Sequence, residues 1–193
     1  MYKESIKFYK FTRFVLKPIF KFWFNPKIVG AENIPITDEP VLIASNHTDF
    51  FDPAVSIVAT KRVIHFISKK ELFEGKMGWF FYKMCCIPVD RSKKNPKAVD
   101  KAINLLNSGG TIGIFPEGTR NRTNDILLPF KHGAMSIAKK TDAWIIPVAV
   151  SGKFKFRSKN LIIKYGKPFK VDNMTIEKAT DKLKNKILEL LEE

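Results

Sequence analysis

Over residues 1–24, placed on a helical wheel at about 100° per residue, Phe8, Phe11, Val15, Ile19 and Phe22 gather on one face. Lys3, Lys7, Lys10, Lys17 and Lys21 gather well away from it. This spacing predicts an amphipathic helical segment, and Pro18 should interrupt it to give two short helices. Tyr9, Phe14, Phe20, Trp23 and Phe24 carry the aromatic content beyond a single stripe. A basic, aromatic-rich amphipathic segment suits a membrane surface; the plainer alternative is a core-packing helix with a solvated basic face.

From Pro40 onward, short apolar runs alternate with helical periodicity. Strands are predicted at 41–45, 62–68, 86–89, 111–115, 144–150 and 161–165. Helices are predicted from Asp52 to about residue 60, and at 77–84, 95–107, 133–140 and 175–193. Asp52-Pro53 and Asn95-Pro96 each read as a cap followed by a first-turn proline, and Gly109-Gly110 follows the end of the 95–107 helix. The last helix carries Ile176, Ala179, Leu183, Ile187 and Leu190 on one face. This order predicts a single α/β domain over 29–193, with a mixed, largely parallel sheet flanked by helices. The amphipathic segment 1–28 precedes it. Sites in such sheets form at the carboxyl ends of strands, just where His47 and residues 116–120 fall.

Charge adds an anionic partner to this picture. The 193 residues include 34 Lys and Arg against 19 Asp and Glu, a net charge of +15. The lysines are dispersed and no recognised nucleic-acid motif is present, so a membrane surface or a phosphorylated substrate fits better than nucleic acid. No apolar run approaches the roughly 18 residues of a membrane-spanning helix, and the N-terminus lacks signal-peptide features. The two cysteines, Cys85 and Cys86, are adjacent and fit a reducing compartment.

Three stretches carry candidate chemistry. In Asn46-His47-Thr48-Asp49-Phe50-Phe51-Asp52, a loop places a carboxylate within reach of an imidazole. Such a pair makes a general base, but the spacing alone is better explained by a polar loop residue and a helix cap. It is not a zinc spacing, and no Cys/His cluster supports a metal. In Phe115-Pro116-Glu117-Gly118-Thr119-Arg120, glycine exposes backbone N–H groups and Arg120 offers a bidentate fork for phosphate. In Ile87-Pro88-Val89-Asp90-Arg91, the arginine after a strand either binds phosphate or pairs with Asp90. His65 lies within a strand pattern and His132 in a lysine-flanked turn.

Together these blocks resemble the glycerophospholipid acyltransferases. His47 and Asp52 match that family's His-x4-Asp motif, residues 87–91 its second block and residues 115–120 its third. Ile146-Pro147-Val148-Ala149-Val150 matches its fourth, and residues 130–134 fit the region after the third. The nearest type is the bacterial 1-acyl-sn-glycerol-3-phosphate acyltransferase. The resemblance implies transfer of a fatty acyl group from acyl-CoA or acyl carrier protein to the free hydroxyl of 1-acyl-sn-glycerol 3-phosphate, giving phosphatidic acid. It implies His47 and Asp52 as the catalytic pair. Glu117, Gly118, Thr119, Arg120 and Arg91 would bind the acceptor, with no metal and no cofactor beyond the thioester co-substrate. It also implies a peripheral enzyme on the cytoplasmic face of an anionic membrane. Other acceptors, such as glycerol 3-phosphate or another lysophospholipid, share the same motifs, and a non-enzymatic basic membrane-binding module is the remaining alternative.

Two positions depart from the family pattern. Asp49 stands where serine is common, putting a second carboxylate near His47. Cys85 stands where glycine is common, which bears on loop shape; a cysteine nucleophile is disfavoured because Cys85 and Cys86 read as apolar strand residues. Backbone N–H groups near Gly118 are expected to stabilise the oxyanion, and Phe50, Phe51, Leu72, Phe73, Trp79, Phe80 and Phe81 are candidates for an acyl groove or for ordinary core.

Overall fold

A computed structural model describes residues 3–90, 92 and 96–192. The helices are α1 (Ile6–Phe24), α2 (Asp52–Ala59), α3 (Glu71–Glu74), α4 (Gly78–Lys83), α5 (Pro96–Asn107), α6 (Gly133–Thr141) and α7 (Ile176–Glu192). The strands are β1 (Lys27–Val29), β2 (Val41–Ser45), β3 (Ile64–Lys69), β4 (Ile87–Val89), β5 (Thr111–Ile114), β6 (Trp144–Ser151) and β7 (Ile162–Tyr165). They form one sheet in the order β1-β7-β6-β2-β5-β3-β4, parallel throughout except for the antiparallel β6–β7 pair. This is the expected α/β class. Strand β1 and helix α3 are too short to leave a periodic signal, and were not expected.

The sheet is covered on both faces, which is why β2 is apolar at consecutive positions rather than alternate ones. Leu42 and Ala44 point to a layer built by α5, α6 and α7 through Ala102, Leu106, Met135, Ala138, Leu183 and Ile187. Val41 and Ile43 point the other way, to a layer containing Val55 and Val58 of α2 and Phe20 and Phe24 of α1.

Helix α1 is continuous through Pro18, contrary to the expected break. Proline removes one i→i−4 hydrogen bond, at a cost of about 3 kcal/mol in a helix interior. Here Tyr9 is buried before Pro18, and Phe20 and Phe24 after it. Burial on both sides holds the two halves in line. Ser5 caps the helix by accepting the Phe8 N–H at 3.2 Å, and Arg13 donates to the carbonyls of Thr60 and Lys61. The helix therefore has three faces. Tyr9, Phe20 and Phe24 enter the core, the lysines form a second face, and the expected apolar stripe is left in solvent except at Phe8, which packs on Trp79 and Phe80: Phe11 is 65%, Phe22 62% and Ile19 53% exposed. The segment 1–28, read from sequence as a unit of its own, thus supplies core residues and the start of edge strand β1.

Candidate active site

The parallel pairing of β2 with β5 places Ala44 opposite Ile114. The chain leaves both strands at the same end of the sheet, so the His47 loop and the 115–120 turn become neighbours. Asn46 extends the register beyond β2. Its side chain donates to the Val150 carbonyl at 2.9 Å and accepts the Val150 N–H at 2.8 Å, standing in for a strand rung against β6.

His47 is held from every side. Its Nδ1 lies 2.8 Å from Oδ2 of Asp52. Its ring stacks on Phe115 with centroids 4.0 Å apart, and Phe115 in turn stacks on Phe66 of β3. Its backbone N–H donates to Oε1 of Glu117 at 2.7 Å, and its carbonyl accepts the Asn121 N–H at 2.7 Å. With the proton on Nδ1 directed at Asp52, the lone pair sits on Nε2. The imidazole keeps 15% of its side-chain surface, while the Asp52 side chain has none.

Asp52 is the first residue of α2, with Phe51 in the cap position. Its carboxylate turns back over the loop rather than onto its own helix, as a cap would. Oδ2 accepts the N–H groups of Thr48 and Asp49 at 2.7 and 2.8 Å as well as facing His47. The backbone of Asp49 therefore helps to hold the Asp52 carboxylate, while the Asp49 carboxylate accepts the Phe51 N–H at 3.0 Å.

Glu117 was expected against the acceptor; the fold places it beneath the site. It is 3% exposed, with Oε1 on the His47 amide and Oε2 on the Leu128 amide at 2.9 Å. Burial pushes its carboxyl above the ordinary glutamate value, and the two N–H donors only partly offset that rise. Gly118 follows in the left-handed region at φ 72°, which only glycine adopts freely. Its own N–H donates to the Phe115 carbonyl at 2.9 Å, so this amide is committed and is not the expected oxyanion donor. Thr119 and Arg120 are exposed beyond it.

Lys131, which sequence reasoning left out of the site, lies across Gly118: a Cβ built there would come within 2.8 Å of Nζ. Its only sequence signal is its place in the stretch 130–134. Lys131 also borders an apolar cavity of about 140 Å³ with Ile67, Ile114, Phe115, Pro116, Gly118, Gly133 and Ala134. Arg91 lies outside the described residues, as does the predicted cap Asn95; neighbouring Asp90 accepts from Lys70 Nζ at 2.9 Å and from Ser92.

The cysteines are not strand residues. Cys85 occupies a turn after α4 at φ 58°, the conformation that glycine takes without strain, so the departure from the family pattern preserves the loop's backbone shape. Burial pushes the Cys86 thiol up to about 12 and raises that of Cys85, which leaves neither as a thiolate nucleophile at neutral pH. The aromatic groove candidates divide into two ring clusters. Phe50 and Phe51 pack toward Phe24 and Phe154, while Phe73, Trp79, Phe80 and Phe81 pack with Phe8 and Tyr82.

The Acyltransferase family model matches residues 25–151. The 1-acyl-sn-glycerol-3-phosphate acyltransferase of Bacillus subtilis is 34% identical over 166 residues, covering 83% of this chain and 81% of its own. A chloroplastic protein of the same name from Brassica napus is 32% identical over 76% of this chain, which spans 44% of it. Among solved structures, the 1-acyl-sn-glycerophosphate (LPA) acyltransferase PlsC from Thermotoga maritima superposes with a TM-score of 0.75 at 25% identity, covering 96% of this chain and 86% of its own.

Proposed function

Because this chain belongs to the Acyltransferase family, we propose that it transfers a fatty acyl group from a thioester to the free hydroxyl of 1-acyl-sn-glycerol 3-phosphate, forming phosphatidic acid. The observation that carries the chemistry is the 2.8 Å contact between His47 Nδ1 and Asp52, which frees Nε2 to act as a base.

In this reading the acceptor hydroxyl attacks the thioester carbonyl while Nε2 of His47 takes its proton. Asp52 holds the tautomer and stabilises the imidazolium. The tetrahedral intermediate then collapses, the C–S bond breaks, and the thiolate leaves with the proton from His47. The amides of Thr119 and Arg120 form no hydrogen bond among the described residues, and in this reading they serve as oxyanion donors. The exposed Arg120 guanidinium binds the acceptor phosphate, joined by Lys131 over Gly118 and by Arg91. Glu117 acts through His47, as a positioning residue. The donor is acyl-CoA or acyl carrier protein, with no further cofactor.

The enzyme docks peripherally on the anionic cytoplasmic face of a membrane. The solvent-facing aromatic side of α1, flanked by lysines, supports this, and no described helix is long and apolar enough to cross a bilayer. Acyl transfer measured with a panel of acceptors, each with coenzyme A and carrier-protein thioesters, tests the reading. Phosphatidic acid formation that disappears in His47→Ala is the expected result. Transfer to other acceptors alone, or full activity in His47→Ala, overturns it.

A further inference from the structure

Where the chain enters α1, three side chains with metal-ligand chemistry converge outside the His47 site. We propose that Glu4, His65 and Cys85 bind a borderline-soft divalent cation of the Zn(II) or Co(II) type, tying the start of α1 to the sheet. One ligand atom from each lies within 4.8 Å of the other two. Residues 4, 65 and 85 are too far apart in the chain for a ligand-spacing motif, which is why the sequence suggested no metal.

The independent sign of a ligand is at His65. The residue is only 7% exposed, yet its Nδ1 is buried with no hydrogen-bond partner among the described residues. A buried nitrogen without a partner carries its full desolvation cost. Burial also holds His65 below its ordinary value, so the imidazole is neutral and ready to coordinate.

Cys85 supplies a fully buried sulfur, fixed by its left-handed backbone and donating to the Lys83 carbonyl at 3.8 Å. Glu4 supplies a carboxylate from the exposed residues just before α1. Sulfur, imidazole and carboxylate are a tetrahedral zinc set with one position left for water; Mg²⁺ and Ca²⁺ prefer all-oxygen shells. Bonds of about 2.0–2.3 Å put ligand atoms roughly 3.3–3.8 Å apart, so the trio closes by at most about 1.5 Å. Glu4 is the residue free to move. It now pairs with Lys101 at 3.1 Å, and both side chains are close to half exposed, so the lysine can swing into solvent as the cation takes its place. Binding converts the Cys85 thiol to a thiolate–metal bond and releases one proton.

The test is a Co(II) titration of the untagged full chain, following the thiolate-to-cobalt charge-transfer band and proton release into weakly buffered solution. We expect a saturable single-equivalent band with one proton released. The band should vanish in Cys85→Ser, and affinity should fall about tenfold or more in Glu4→Gln, whose exposed position leaves the fold untouched. Absence of the band overturns the site. So does a band that persists in Cys85→Ser, which would place the metal on Cys86, or Glu4→Gln binding as tightly as the parent.

Discussion

Oε1 of Glu117 accepts the backbone N–H of His47 at 2.7 Å, joining two motifs that are 70 residues apart in sequence. The buried carboxylate sets the position of the histidine loop without touching the reacting atoms.

Glu117→Gln keeps the size but turns an NH₂ group toward one of two amide donors. It should lower kcat by about tenfold with little change in the acceptor KM, and cost about 1–3 kcal/mol of stability. Its pH dependence is also diagnostic. The folded-state value of Glu117 is raised, so the folded chain holds that proton more tightly than the unfolded chain. The corresponding stability is present below the ordinary glutamate range and is lost as pH rises through the raised value. Thermal unfolding followed across mildly acidic pH should show this component in the parent and not in Glu117→Gln.

The two carboxylates near His47 should separate sharply. Asp52→Asn disrupts the oxygen facing Nδ1 and should lower kcat by about 100-fold or more. Asp49→Asn alters only the turn contact to Phe51 and should retain most activity. Equal losses in steady-state assays would reject this division of labour.

Arg120→Ala should raise the acceptor KM by about 10- to 100-fold, the equivalent of one or two charge-assisted hydrogen bonds, while kcat stays near the parent value. Lys131→Ala should shift the same parameter by less, because lysine lacks the bidentate fork. An unchanged KM in both would remove the phosphate from this turn.

For the membrane surface, deleting residues 1–24 is a poor experiment, since Tyr9, Phe20 and Phe24 belong to the core. Point changes on the solvent side are cleaner. Phe11→Asp and Phe14→Asp, at positions 65% and 79% exposed, should each weaken binding to anionic vesicles by about tenfold without changing the melting temperature. Sedimentation with phosphatidylglycerol vesicles measures this directly.

Much of the molecule was legible in its residues because the signals are local. A strand buried on both faces must be apolar throughout, as in β2, and the amphipathic period of α7 does not depend on what it packs against. The ordered motifs carry the family resemblance, and with it His47, Asp52 and Arg120, in the residues alone. Tertiary structure alone decided which partners those residues have. The β2–β5 register brings Glu117 beneath His47, the stack on Phe115 orients the imidazole, and the loop amides share the Asp52 carboxylate. Pro18 was misread for the same reason: a local rule breaks the helix, and burial of Tyr9, Phe20 and Phe24 restores it. Local preferences amount to a few kcal/mol per position, whereas contacts between distant segments exist only once the sheet has fixed their distance.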